Sequence, residues 1–244
     1  MNDNTKDHSL KIEEIKSKIY NKLVSSGWGN RLKGFILSAD MDIIIQKLIE
    51  DKEEGKRFVP ALKDVFNAFE YCPYDKTRII MIGQDPYPYI GVPDGLAYSC
   101  SITGKPQPSL KYMFKEIQKT VYGSEEYTED VNLKRWADQG ILLLNSALTV
   151  NERKPGSHYL LWRPFIVYLI DTIVFNMDMY DTIFVFMGNK AKEYYDTVPD
   201  NFFKISCTHP ASAAHAELEN WDSGDLFNKI NNRLKSLNKD TIVW

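Results

Sequence analysis

Residues 77–88, TRIIMIGQDPYP, run from four consecutive apolar residues directly into a glycine and a polar turn. Ile79 to Ile82 is too short for a helix and reads as a strand buried on both faces. Three more runs of the same kind follow: Ile141 to Leu144, Ile183 to Met187, and Phe202 to Ile205. Between and after them lie segments of helical periodicity, Ser109 to Val121, Leu133 to Gln139 closed by Gly140, Arg163 to Met177, Asn189 to Tyr195, and Leu226 to Leu237. Strands alternating with helices predict a parallel sheet covered on both faces. The expected fold is therefore α/β, with three α/β/α layers around a central, four-stranded, mainly parallel sheet.

Working outward, the N-terminal stretch places Ile12, Ile15, Ile19 and Leu23 on one helical face ending near Gly27. Residues 1–30 are expected to form a helical extension, and residues 31–244 one α/β domain. Met41, Ile44, Ile45 and Leu48 mark a second helix. The charged stretch Glu50 to Arg57 after it reads as a solvated helix end and turn. Across 244 residues, 43% are hydrophobic and 26% charged, enough to bury a full core without disulfides. Thirty basic against 33 acidic residues leave a net charge of −3, so no global basic field announces a nucleic-acid binder. Only a local phosphate-contacting groove fits. Three cysteines with no C-x-x-C pair, a polar start and no apolar run near ~20 residues predict a soluble, intracellular, cytoplasmic protein that contacts no membrane.

Ligands of open α/β sheets bind beyond the carboxyl ends of the strands. The residues there are Gly83-Gln84-Asp85-Pro86-Tyr87, Asn145-Ser146, Gly188-Asn189 and Cys207-Thr208-His209-Pro210. A carboxylate, an imidazole and a carboxamide together supply charge, a tunable proton donor or acceptor, and a paired donor and acceptor for a flat polar ligand. The G-x-x-x-x-G-K-[ST], G-x-G-x-x-G, H-E-x-x-H and G-x-S-x-G patterns are absent. Cys207, His209 and His215 make too thin a ligand set for a metal, so neither metal nor cofactor is expected. Taken singly, Asp85 reads as a turn or capping aspartate, His209 as a structural histidine, Asn145 as a buried amide, and Tyr87 and Tyr98 as core aromatics. Their joint placement after successive strands favours a site.

The motifs GQDPYP, PDGLAYS, WADQGILLLNSALTV and a strand ending in THP, in that order, resemble family 1 uracil-DNA glycosylase. The likeness spans roughly residues 58 to 237 and includes VFNAFEYCPYDKTRIIMIGQDPY, PQPSLKYMFKEI and GSHYLLWRPF. It implies a metal-independent hydrolase that flips uracil out of DNA and cuts its N-glycosidic bond. On this resemblance Asp85 orients the attacking water and steadies the cationic sugar, while His209 hydrogen-bonds uracil O2. Asn145 pairs with the uracil edge, Tyr87 excludes the thymine methyl, Tyr98 stacks on the ring and Gln84 lines the pocket. The phosphates fall to Pro88, to Pro106, Gln107, Pro108 and Ser109 at one helix start, to Gly188 and Asn189 at another, and to Ser212 and Ala213 after His209. Helix N-termini bind anions without Lys or Arg, so a net negative chain is compatible with DNA.

The chain departs from the family pattern at Pro88, where His is usual, and at Tyr98 and Asn189, where Phe and Ser are usual. The largest departure is His209-Pro210-Ala211-Ser212-Ala213-Ala214, which lacks the family's leucine wedge. The resemblance then implies weaker flipping on duplex DNA and a preference for single strands, where unstacking costs less. A proteinaceous uracil-DNA glycosylase inhibitor is a possible partner, and a monomer the default state. A second reading stays open: a catalytically weak, glycosylase-fold DNA-binding subunit of a replication or repair complex. His158 and Trp162 are expected to be structural, and His215 and Trp221 to lie in a solvated loop.

Overall fold

The computed structural model describes residues 3–176 and 179–244. Four strands, β2 (Ile79–Gly83), β3 (Ile141–Asn145), β5 (Ile183–Met187) and β6 (Phe203–Cys207), form one wholly parallel sheet in the order β3-β2-β5-β6. Every residue of β2, β3 and β5 is buried, as uninterrupted Ile/Leu/Val/Phe runs covered on both faces require. The register pairs Gly83 with Asn145 and Met187 with Cys207, so all four carboxyl ends finish on one rim. A separate two-stranded antiparallel ladder, β1 (Phe58–Val59) with β4 (Val150–Asn151), was not foreseen from the sequence pattern.

Three helices precede the sheet: α1 (Asp3–Val24), α2 (Trp28–Ile36) and α3 (Ala39–Glu53). α4 (Asn67–Tyr71) leads into β2, while α5 (Pro108–Ile117) and α6 (Lys134–Ala137) lie between β2 and β3. α7 (Tyr159–Val174) precedes β5, and α8 (Asn189–Lys192), α9 (Pro210–His215) and α10 (Leu226–Ser236) complete the chain. α7 begins four residues ahead of the predicted Arg163; the predicted end, Met177, lies outside the described residues.

The boundary drawn at residue 30 does not coincide with a break in packing. Leu23 and Trp28 are fully buried in the same core as the sheet. The Trp28 ring meets Phe69 and Tyr74 edge-on at 5.2 and 5.0 Å, and its Nε1 donates to Cys72 O at 2.8 Å. From the last turn of α1, Lys22 Nζ donates to Asn67 Oδ1 at 2.7 Å, and Asn67 Nδ2 to Asp94 O at 2.7 Å. Among the described residues, no helix is long and apolar enough to cross a membrane.

Candidate active site

The strand order reverses at β2, whose neighbours are β3 on one side and β5 on the other, and a crevice opens at such a point. Gln84 and Asp85 follow β2, Asn145 ends β3, Gly188 follows β5, and His209 follows β6. Gly83 is required here: a Cβ would sit 2.7 Å from Tyr98 Oη and 2.8 Å from Asn145 Oδ1. Those two polar atoms therefore flank one point at the sheet's rim. Gly188, at φ 91°, would bring a Cβ within 2.8 Å of His209 Cβ. The ends of β5 and β6 thus close on each other, joined by Gly188 N donating to Cys207 O at 2.9 Å.

Asp85 is held by one oxygen. Its Oδ2 accepts from Gly156 N at 2.7 Å and Gln84 Nε2 at 3.1 Å, while Oδ1 is buried with no protein partner. Burial raises the Asp85 pKa, and the bonds from Gln84 and Gly156 oppose that rise, helped by the positive charge of Lys190. A carboxylate with one oxygen anchored and one free has a fixed direction in which to accept a proton or steady a cation.

His209 caps α9: its Nδ1 accepts from Ala211 N at 3.1 Å. That bond puts the ring proton on Nε2, which becomes the donor available to a ligand. Burial pushes the His209 pKa down to about 4, with a further push from His215, so the ring is neutral at pH 7. The His209 and Tyr98 rings lie 5.7 Å apart at 38°. Tyr98 is buried with φ 67°, an uncommon backbone conformation for a bulky residue. Its carbonyl accepts from Tyr87 Oη at 3.0 Å, whereas its own Oη is buried without a partner. Asn145 is 7% exposed.

The loop bearing Tyr98 is built on Asp94, which the sequence reading passed over. Asp94 Oδ2 accepts from Ser99 Oγ at 2.5 Å, Ser101 Oγ at 2.6 Å and Ser101 N at 3.1 Å. A short Asp-x-x-x-x-Ser-x-Ser spacing was the available signal.

Of the outer residues, Pro88 accepts from Arg153 N at 2.8 Å through its carbonyl. Gln107 is the N-cap of α5, with Pro106 and Gln107 partly buried, Pro108 exposed and Ser109 buried. Asn189 is exposed at the start of α8. Ser212 is exposed, its Oγ donating to His209 O at 2.7 Å, whereas Ala213, paired with it in the sequence reading, is 2% exposed and turned into the core. Trp221 corrects the solvated-loop expectation: it is 2% exposed, with Nε1 donating to Thr208 Oγ1 at 2.9 Å. Among the described residues no cluster of three His, Cys, Asp or Glu side chains could hold a metal. An open trough lined by Lys134, Arg135, Asp138 and Gln139 shares no residue with this set.

The largest miss is Asp51. The stretch read as solvated contains a fully buried carboxylate, 3.0 Å from His158 Nε2. A lysine at i−4 inside a helical face was the only local signal, and it is common on solvated helices too.

The model of the uracil DNA glycosylase superfamily matches residues 69–235. A uracil-DNA glycosylase of Mesomycoplasma hyopneumoniae is 37% identical over 204 residues, 82% of this chain and 89% of that protein. One from Borrelia duttonii is 32% identical over 237 residues, 96% of this chain and 98% of its own length. The crystal structure of mimivirus uracil-DNA glycosylase superposes with TM-score 0.77 at 25% identity, covering 89% of this chain and 85% of that one. A Y322F variant of the mimivirus protein, in complex with UGI, superposes at TM-score 0.78 and 26% identity, covering 89% of this chain and 87% of its own.

Proposed function

The chain belongs to the uracil DNA glycosylase superfamily, and from that premise we propose how its residues divide the work of the family's reaction. It hydrolyses the N-glycosidic bond of deoxyuridine in DNA, releasing uracil and leaving an abasic site. Asp85 carries the sugar side. Its unpartnered Oδ1 takes a proton from the attacking water as that water adds to C1′, and its charge steadies the cationic sugar left when the C1′–N1 bond breaks. His209 carries the base side, Nε2–H donating to uracil O2 as the electron pair of the broken bond moves onto the base. A neutral imidazole suffices, because a hydrogen bond grows stronger as charge builds on its acceptor.

Asn145 reads the uracil edge with one donor and one acceptor, leaving both unpaired against cytosine. Tyr87, tied to the Tyr98 carbonyl, occupies the place of a C5 methyl, and Tyr98 stacks on the ring. Gln84 braces Asp85. The phosphates lie along Pro88, the Pro106-Gln107-Pro108-Ser109 turn into α5, Gly188-Asn189 and Ser212. The N-terminal helix α1 acts as one unit with the rest, and the protein works as a cytoplasmic monomer. An inhibitor protein of the UGI kind, seen with the mimivirus relative, is a natural partner. The binding-subunit reading is not favoured, because the relatives across nearly the whole chain are glycosylases by name.

The observation that carries the division of roles is the half-anchored Asp85 carboxylate on the same sheet rim as a neutral His209. A labelled oligonucleotide with one uracil, incubated with EDTA and then cleaved by alkali, tests it. Strand cleavage at uracil only, lowered about a thousandfold in kcat by Asp85→Asn, is expected. Full activity in that variant would refute the role of Asp85.

A further inference from the structure

Asp51 lies in the last turns of α3, far in sequence from any residue of the site, yet it is 0% exposed. Its Oδ1 accepts from Lys47 Nζ at 2.6 Å and Lys56 Nζ at 3.3 Å. Its Oδ2 accepts from His158 Nε2 at 3.0 Å and Asn151 Nδ2 at 3.2 Å. On the far side of the imidazole, Nδ1 lies 2.9 Å from Thr149 Oγ1, which accepts from Trp162 Nε1 at 2.7 Å. The direction of this chain is forced. Ionised Asp51 only accepts, so the imidazole proton sits on Nε2, and Nδ1 of the neutral ring then accepts the hydroxyl proton of Thr149, whose oxygen accepts from Trp162. Thr149, His158 and Trp162 are each no more than 1% exposed, and each of the bonds in the relay is satisfied. Such a network is rigid, and breaking one member strands a buried charge.

Asn151 and His158 are the two ends of one loop, residues 152–157, exposed from Arg153 to Ser157. One carboxylate therefore grips both ends. The loop closes on itself through Asn151 N donating to Ser157 Oγ at 2.8 Å. It then reaches the site at two points: Gly156 N donates to Asp85 Oδ2 at 2.7 Å, and Arg153 N to Pro88 O at 2.8 Å.

We infer that Asp51 is a positioning residue for the glycosylase reaction, clamping the loop of residues 152–157 at both ends so that Gly156 N–H holds one oxygen of Asp85 and leaves the other for water and sugar. This rests on the role proposed for Asp85. Burial would raise the Asp51 pKa, but the bonds from Lys47, His158, Asn151 and Lys56 outweigh it and hold the carboxyl well below its usual range. Asp51 thus stays ionised throughout the working pH range. Burial lowers the His158 pKa, against the pull of Asp51, in keeping with the neutral tautomer drawn above. The groups that bear on Asp85 are Gln84 from its own loop, Gly156 and His158 from the clamped loop, and Lys190 from α8. Of these, Asp51 holds His158 directly and governs the Gly156 bond through the loop. Its loss removes an effect that lowers the Asp85 pKa, so that pKa must rise.

The test uses Asp51→Asn, which keeps the side-chain shape, and Asp51→Ala. Each is measured for the pH profile of kcat/KM on a single-stranded uracil oligonucleotide and for the 13C titration of the Asp85 carboxyl. The expected result is a fall in kcat of about tenfold or more with KM little changed. The acid limb moves up by about one pH unit, and the carboxyl titration moves with it. Asn151→Ala, which frees one end of the loop only, shifts both in the same direction by less. A folded variant whose acid limb and Asp85 titration match the wild type overturns the clamp, even if its rate falls. Were the wild type to release no uracil while the Asp85 titration still moved in Asp51→Asn, the clamp would stand and the reading of activity would fail. If Asp51→Ala does not fold, Asp51→Asn decides.

Discussion

The two flanks of the site are built differently. On the Asp85 flank the carboxylate is anchored by Gly156, the Gly156 loop is gripped at both ends by Asp51, and Asp51 sits between Lys47, Lys56, Asn151 and His158. On the His209 flank the imidazole is fixed by a single bond from Ala211, and residues 215–220 beyond α9 are all exposed. Among the described residues, the hydrogen bonds that tie that stretch to α5 are Tyr112 Oη on Leu218 O and Lys115 Nζ on Glu219 O. The Asp85 flank is densely cross-linked by hydrogen bonds, and the stretch beyond α9 sparsely. Chemistry demands placement within fractions of an ångström, whereas phosphate and stacking contacts tolerate adjustment.

The sharpest way to probe the rigid flank is specificity. Tyr87→Ala removes the ring held by the Tyr98 carbonyl and opens space for a methyl group. Thymine excision is expected to rise relative to uracil by about tenfold to a hundredfold, read as the ratio of kcat/KM values on matched oligonucleotides. Retained uracil activity with no gain on thymine would remove Tyr87 from that role.

The sparse flank predicts a substrate-form effect. With only Ala211, Ala213 and Ala214 beside Ser212, the loop has little to place in the gap of a flipped base, and Ala213 is itself buried. Single-stranded substrate is expected to be cleaved about tenfold faster than duplex at equal concentration, since unstacking costs a few kcal/mol. Ala214→Leu should narrow that ratio. Equal wild-type rates on the two forms would make the loop composition irrelevant to flipping.

The smallest effect concerns stability. The folded Asp85 pKa is raised, chiefly by burial, so its contribution is fully present below the unfolded value near ~3.9 and is lost as pH rises through the folded value. At pH 7 the ionised carboxylate is therefore a cost to the fold, and Asp85→Asn should raise Tm by about 2–4 °C there and by less at pH 3. Asp51 behaves in the opposite sense. Its folded pKa is depressed, so its contribution is present above the unfolded value and is lost as pH falls through the folded one. A Tm that falls in Asp85→Asn at pH 7 would mean that the site stores no strain.

Much of this was readable in one dimension. Three apolar runs of strand length proved buried on both faces, while the fourth, Phe202 to Ile205, lies in an edge strand whose Lys204 is partly exposed and Ser206 exposed. Together they still determined a parallel sheet and put Asp85, Asn145, Gly188 and His209 on one rim, because the carboxyl ends of parallel strands share a side. The order of GQDPYP, the Asn145 strand and THP determined the family. Tertiary structure alone decided which polar residues are buried and in what state. Asp51 looked like one charge among many, and only a partner 107 residues away makes it a buried anchor. Trp221 looked like part of an open loop until Thr208 and the core took it in. The proton on His209 Nε2 follows from a capping bond to Ala211, and the free oxygen of Asp85 from a loop that arrives from residue 156. Periodicity reports which face of a local element meets the core, but a hydrogen bond between distant segments depends on how the elements pack, and no local pattern encodes that.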